Sequence, residues 1–123
     1  DQAGIAITRV TIVADLGLVL DPQIARNQLI GGCLQGLSAA MGEEITFAGG
    51  AAQQENFDSY ILMRHAAAPD VAVHLLENLP RLGGVGEPGL PPAAPALANA
   101  LFALTGQRLR QLPLSKQVAF AGT

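Results

Sequence analysis

The ten residues from Gly83 to Pro92 contain four glycines and three prolines. Proline locks φ and donates no backbone hydrogen bond, and glycine weakens helix and strand alike, so neither element can run through this segment. The prolines also make it stiffer than a linker. A shaped loop is expected here, with the regular structure before and after it.

Upstream, Ile5 to Ala14 is rich in Ile, Val and Thr and breaks at Asp15-Leu16-Gly17, which predicts a mostly buried strand followed by a turn. Asp21 supplies a capping carboxylate and Pro22 a preset first helical residue, so a helix is expected from Pro22 to Met41, ended by Gly42. Glu44 to Phe47 and Ala52 to Phe57 flank Gly49-Gly50, the pattern of a hairpin turn needing positive φ. Tyr60 to Met63 and Val71 to Glu77 read as two more short strands. Downstream, Pro91, Pro92 and Pro95 suit the opening turn of a second helix that stops at Gly106. This order predicts an α+β fold, a mainly antiparallel sheet with two main helices on one face.

The chain has 123 residues, half of them hydrophobic, which suits one domain spanning 1–123. Only 14% are charged and there is no Trp, so part of the surface is expected to be covered by something else. A net charge of −3 lacks the basic excess that a phosphate backbone requires, which argues against nucleic acid as a partner. Cys33 is the sole cysteine, excluding intrachain disulfides and thiolate zinc sites, and reads as a small buried hydrophobe. No targeting signal or membrane span is expected within these residues, and any export signal would lie upstream. The compartment stays open.

Inside the first helix, Gly31, Gly32 and Gly36 each cost about 1 kcal/mol relative to Ala, so something other than helix propensity selected them. At 100° per residue, Ile30, Cys33, Leu34, Leu37 and Met41 form an apolar face, and Gln28, Gly31, Gly32, Gln35 and Ala39 a small, amide-bearing one. Either a neighbouring element packs tightly on the glycines, or the amide face meets a polar ligand with several donors and acceptors.

Gly84 to Gly89 matches a bare GxGxxG, but that fingerprint needs an acidic residue about 20 positions later, and no Asp or Glu follows Glu87. A dinucleotide loop is rejected. Glu87, between Gly86 and Pro88, has no capping role and no helical ion-pair partner. It is either a solvated loop glutamate or a carboxylate held out as a general base. His65 and His74 lack metal-ligand spacing, so no metal site is expected. Ser38 and Ser59 occupy no serine-hydrolase motif, and Glu43-Glu44 reads as a solvated acidic pair.

The run Gly83-Gly84-Val85-Gly86-Glu87-Pro88-Gly89, with Pro91-Pro92-Ala93 and Ala98-Asn99-Ala100 after it, resembles the C-terminal signature of xanthine dehydrogenase/aldehyde oxidase-type molybdenum hydroxylase large subunits. The isoquinoline 1-oxidoreductase-like branch is the nearest, through Thr105-Gly106, Arg108, Arg110 and Leu112-Pro113-Leu114. Asn27-Gln28 with Gly31-Gly32 and Gln35-Gly36-Leu37 is similar to that family's Q-x-E-G-x-x-x-Q-G-L helix, and Asn56 to Tyr60 to a segment downstream of it. Ile30 departs from the pattern, standing where the family helix usually has Glu.

The resemblance implies a C-terminal fragment of a molybdenum cofactor-binding domain. Glu87 would be the base that accepts a proton from a molybdenum-bound hydroxyl or water, Gln28 an amide contacting the pterin, and Gly86 part of the cofactor-side loop. The cofactor implied is molybdopterin, often as its cytosine dinucleotide. The substrates implied are aldehydes or nitrogen heterocycles, hydroxylated with water-derived oxygen. The partners implied are the rest of the large subunit and an iron–sulfur small subunit. The isolated chain is expected to hold no cofactor, to be inactive, and to self-associate through its uncovered face. The alternative is a noncatalytic interaction module or decayed homologue, which the short chain and Ile30 would fit.

Overall fold

The computed structural model describes residues 4–121. In chain order it has β1 (Arg9–Asp15), α1 (Pro22–Met41), β2 (Phe47–Ala48), β3 (Ala51–Ala52), β4 (Asp70–Leu76) and α2 (Ala93–Thr105), with 3-10 turns at His65–Ala67 and Leu114–Lys116. Helix α1 begins and ends where its caps predict. The Asp21 carboxylate accepts from the Gln23 and Ile24 amides at 3.0 and 2.9 Å, and Pro22 takes the first helical position. The hairpin also forms at Gly49-Gly50, both with positive φ, although each strand is only two residues long. Helix α2 stops at Gly106 in the left-handed region. Of the three prolines assigned to its opening turn, only Pro95 lies inside the helix.

The sheet differs from the expectation. The fold is mixed α/β, but its main sheet is not antiparallel: β1 and β4 run parallel, in register from Arg9↔Asp70 to Asp15↔Leu76. A parallel pair needs a long crossover connection, and the segment carrying α1 provides one. Among the described residues, antiparallel pairing is limited to the separate β2–β3 hairpin and an isolated bridge between Gly17 and Leu82. Tyr60 to Met63 forms no strand. There the Met63 amide donates to the Ser38 hydroxyl of α1 at 3.0 Å, so a side chain stands in for a strand partner.

Strand β1 alternates rather than being buried throughout: Val10, Ile12 and Ala14 face the core, while Arg9, Thr11 and Val13 are exposed. Val10 and Ile12 pack on a cluster joining Cys33, Leu37 and Met41 of α1 to Ala93, Leu97 and Leu101 of α2 and to Leu109 and Leu114 of the closing segment. Leu101 is 2% exposed and Leu114 1%, positions where truncation to Ala costs about 2–5 kcal/mol. A second cluster, Leu16, Ala25 and Leu29, fixes the first half of α1 to the end of β1 and draws in Val85 from the glycine-rich loop.

Candidate functional site

Residues 83–92 form the irregular loop that their composition dictates, and its ends are secured by backbone contacts. At its start the Gly83 amide donates to the Leu16 carbonyl at 2.9 Å, and just before it the Leu18 amide donates to the Arg81 carbonyl at 2.9 Å. The Asp15 carboxylate reinforces this corner by accepting from the Gly17 amide at 3.1 Å and the Asn78 side-chain amide at 3.0 Å. These bonds, that from Gly17 foremost, hold the Asp15 carboxyl below its ordinary value. At the loop's far end the Leu90 amide donates to the Glu87 carbonyl at 3.0 Å, closing a tight turn.

The same end of the loop lies against α1 with backbone on backbone. A Cβ on Gly36 would stand 2.6 Å from the Leu90 carbonyl oxygen and 2.8 Å from the Ala93 Cβ, and one on Gly89 would collide with the Leu29 carbonyl. Gly32 meets the Leu90 nitrogen at 3.3 Å in the same sense. Tight internal packing therefore accounts for two of the three helix glycines, Gly32 and Gly36. Gly31 has nothing within 4 Å of where a Cβ would be and stays exposed beside Gln35 and Gln28.

The three residues singled out for chemistry lie on two elements that this packing brings together. Gln28 projects from α1, and its Nε2 donates to the Gly86 carbonyl at 3.3 Å, joining residues 58 apart in sequence. That oxygen belongs to the peptide unit entering Glu87. Gly84 and Gly86 have open space where side chains would be, and Glu87 is exposed. Among the described residues no hydrogen-bond partner holds the Glu87 carboxylate, so its position is set by its backbone.

Other candidates resolve into structural roles. Cys33 is buried, and burial pushes its thiol pKa up. His65 and His74 are exposed, and no group of three His, Cys, Asp or Glu side chains among the described residues could hold a metal. Glu43-Glu44 is not a merely solvated pair: Glu43 accepts from the Tyr60 hydroxyl at 2.7 Å, and Glu44 pairs with Lys116. The Glu43 bond raises the Tyr60 pKa. Both partners are distant in sequence, and helix-end position gave no hint of them. The Gly32–Gly36–Gly89 seam had a signal, the unexplained cost of glycine in a helix. The Asp15–Asn78 clip had none.

Over residues 2–69 the chain matches the molybdopterin cofactor-binding domain family, to which it belongs. The isoquinoline 1-oxidoreductase subunit beta of Brevundimonas diminuta is 38% identical over 115 residues, covering 94% of this chain and 15% of that protein. The membrane-bound aldehyde dehydrogenase (pyrroloquinoline-quinone) of Gluconacetobacter polyoxogenes is 35% identical over 106 residues, covering 86% of this chain and 14% of that protein. The crystal structure of quinoline 2-oxidoreductase from Pseudomonas putida 86 superimposes with a TM-score of 0.79 at 23% identity, over 89% of this chain and 15% of that one, and so shares the fold. The chain thus spans about 15% of the length of these relatives. Gln28 lies inside the family match, and Gly86 and Glu87 lie beyond it.

Proposed function

We propose that this chain is the C-terminal part of a molybdenum hydroxylase large subunit, with Glu87 as the base of the parent enzyme and Gln28 and Gly86 on the cofactor side. The observation that carries the reading is the meeting of Gln28 with the peptide unit entering Glu87. Two elements that resemble the family's cofactor helix and base loop are in contact there, which supports reading them together. The residues fit a flat polar heterocycle: the Gln28 amide offers both donor and acceptor, and Gly84 and Gly86 leave room for a ring to approach the backbone.

When bound, molybdopterin, in its cytosine dinucleotide form by this reading, supplies the two-electron acceptor for oxidising a carbon centre. The chain's own contribution is a proton acceptor at a defined place. The Glu87 carboxylate takes up the proton lost by the water-derived oxygen that is added to an aldehyde or nitrogen-heterocycle carbon, a service worth about 10²–10⁴-fold in rate. By the same reading an iron–sulfur small subunit would receive the electrons.

The remainder of the large subunit is the other partner. A parallel sheet is ordinarily covered on both faces, and here the outer face carries Val13, 62% exposed, and Leu76, 42% exposed. An open apolar cleft beside the loop, lined by Leu16, Leu20, Ile24, Leu82 and Val85, offers further surface for such cover.

Producing the complete reading frame with its small subunit, and measuring molybdenum and dye reduction by aldehydes and nitrogen heterocycles, tests the reading. Stoichiometric molybdenum with substrate-dependent reduction is the expected result. A full-length protein without molybdenum, or one whose activity depends on added pyrroloquinoline quinone, would contradict it.

A further inference from the structure

Among the described residues the Glu87 carboxylate has no side-chain partner to aim it, so its direction is inherited from the backbone. The loop is tied at Gly83 through the Leu16 carbonyl and at Gly89 and Leu90 through the seam on α1. Between these ties lie Gly84 and Gly86, the residues that restrain a backbone least, on either side of Val85, which packs on the Leu16–Ala25–Leu29 cluster. The described hydrogen bond that reaches into this stretch from outside the loop is Gln28 Nε2 to the Gly86 carbonyl, at 3.3 Å. Because that carbonyl and the Glu87 amide share one rigid peptide plane, holding the oxygen fixes the plane from which the Glu87 side chain springs. Gln28 itself stands on a helix whose packed side includes Ala25 and Leu29, so it is a firm point to tie to.

We propose that Gln28 is a positioning residue for Glu87: its amide anchors the Gly86–Glu87 peptide and so sets where the base points, apart from any contact it makes to a cofactor. This rests on the reading of Glu87 as the base. The tether acts on the protein's own backbone, so it is present before any cofactor is bound.

The experiment compares wild type, Gln28→Met and Glu87→Gln in the full-length subunit with its small subunit. Methionine keeps the length of glutamine and removes the donor. In crystals of the cofactor-free protein, the backbone B-factors of residues 84–88 relative to those of α1 should rise in Gln28→Met, because the Gly86–Glu87 peptide has lost its anchor. In the loaded enzyme kcat should fall by roughly 10–100-fold, with KM within about twofold and molybdenum content unchanged. The acid limb of the kcat–pH profile, which reports the base, should also move. Gln28→Met with wild-type loop order, kcat and profile would overturn the tether. So would a loss of molybdenum with unaltered loop order, which would make Gln28 a cofactor contact only. Glu87→Gln separates the two ideas: if it keeps turnover, the base assignment fails, whereas an inactive Glu87→Gln beside an unaffected Gln28→Met removes the tether alone.

Discussion

Gly36 of α1 and Leu90 of the loop meet backbone to backbone, so closely that a Cβ on Gly36 would come within 2.6 Å of the Leu90 carbonyl oxygen. Five residues earlier on the same helix, Gly31 faces open space. Alanine at the two positions should therefore act in opposite directions. Gly36→Ala overpacks the seam and should lower stability by about 1–3 kcal/mol. Gly31→Ala should raise it by up to about 1 kcal/mol through helix propensity and a less free unfolded chain. Urea unfolding midpoints of the two variants check this, and shifts of the same sign would contradict the seam.

The contrast also marks what a sequence can disclose. Helix α1 was legible to its last residue because Asp21, Pro22 and Gly42 act locally, and the Gly49-Gly50 turn and Gly106 stop were legible for the same reason. The pairing of β1 with β4 was not, since strand direction is decided by partners tens of residues away, and the short hairpin suggested the wrong sense. Tyr60 to Met63 has strand-like composition, yet Ser38 takes up the Met63 amide. As for the site, Gln28, Gly86 and Glu87 were each named from resemblance, while the bond across 58 residues that joins the first two needed the fold.

Asp15 gives a pH-dependent prediction. Its carboxyl is held below the ordinary value of 3.8, chiefly by the Gly17 amide and then by the Asn78 side chain. A group with a depressed folded pKa stabilises the fold fully above its unfolded value, and that contribution is lost as pH falls through the folded value. The stability difference between wild type and Asp15→Ala should thus be constant near neutrality and shrink on acidification below about pH 4. Denaturant titrations at pH 7 and pH 3 measure it. An equal difference at both would show that Asp15 does not act through its charge.

The isolated segment should self-associate. Leu20 is 84% exposed, Ile24 62% and Leu82 59%, and all three line one cleft. In the absence of a cover such a surface finds another copy. Sedimentation velocity should show association rising with concentration and suppressed by Leu20→Glu with Ile24→Glu. A monodisperse monomer at high concentration would show that this surface needs no cover.

In the proposed function Glu87 is the proton acceptor of the parent molybdenum hydroxylase. The measurement that bears on this first is kcat of Glu87→Gln in the full-length enzyme, with molybdenum quantified in the same preparation. Glutamine keeps the shape and removes the basicity, so turnover should fall by about 10²–10⁴-fold while molybdenum stays at the wild-type level. Turnover equal to wild type at full molybdenum occupancy would contradict the account.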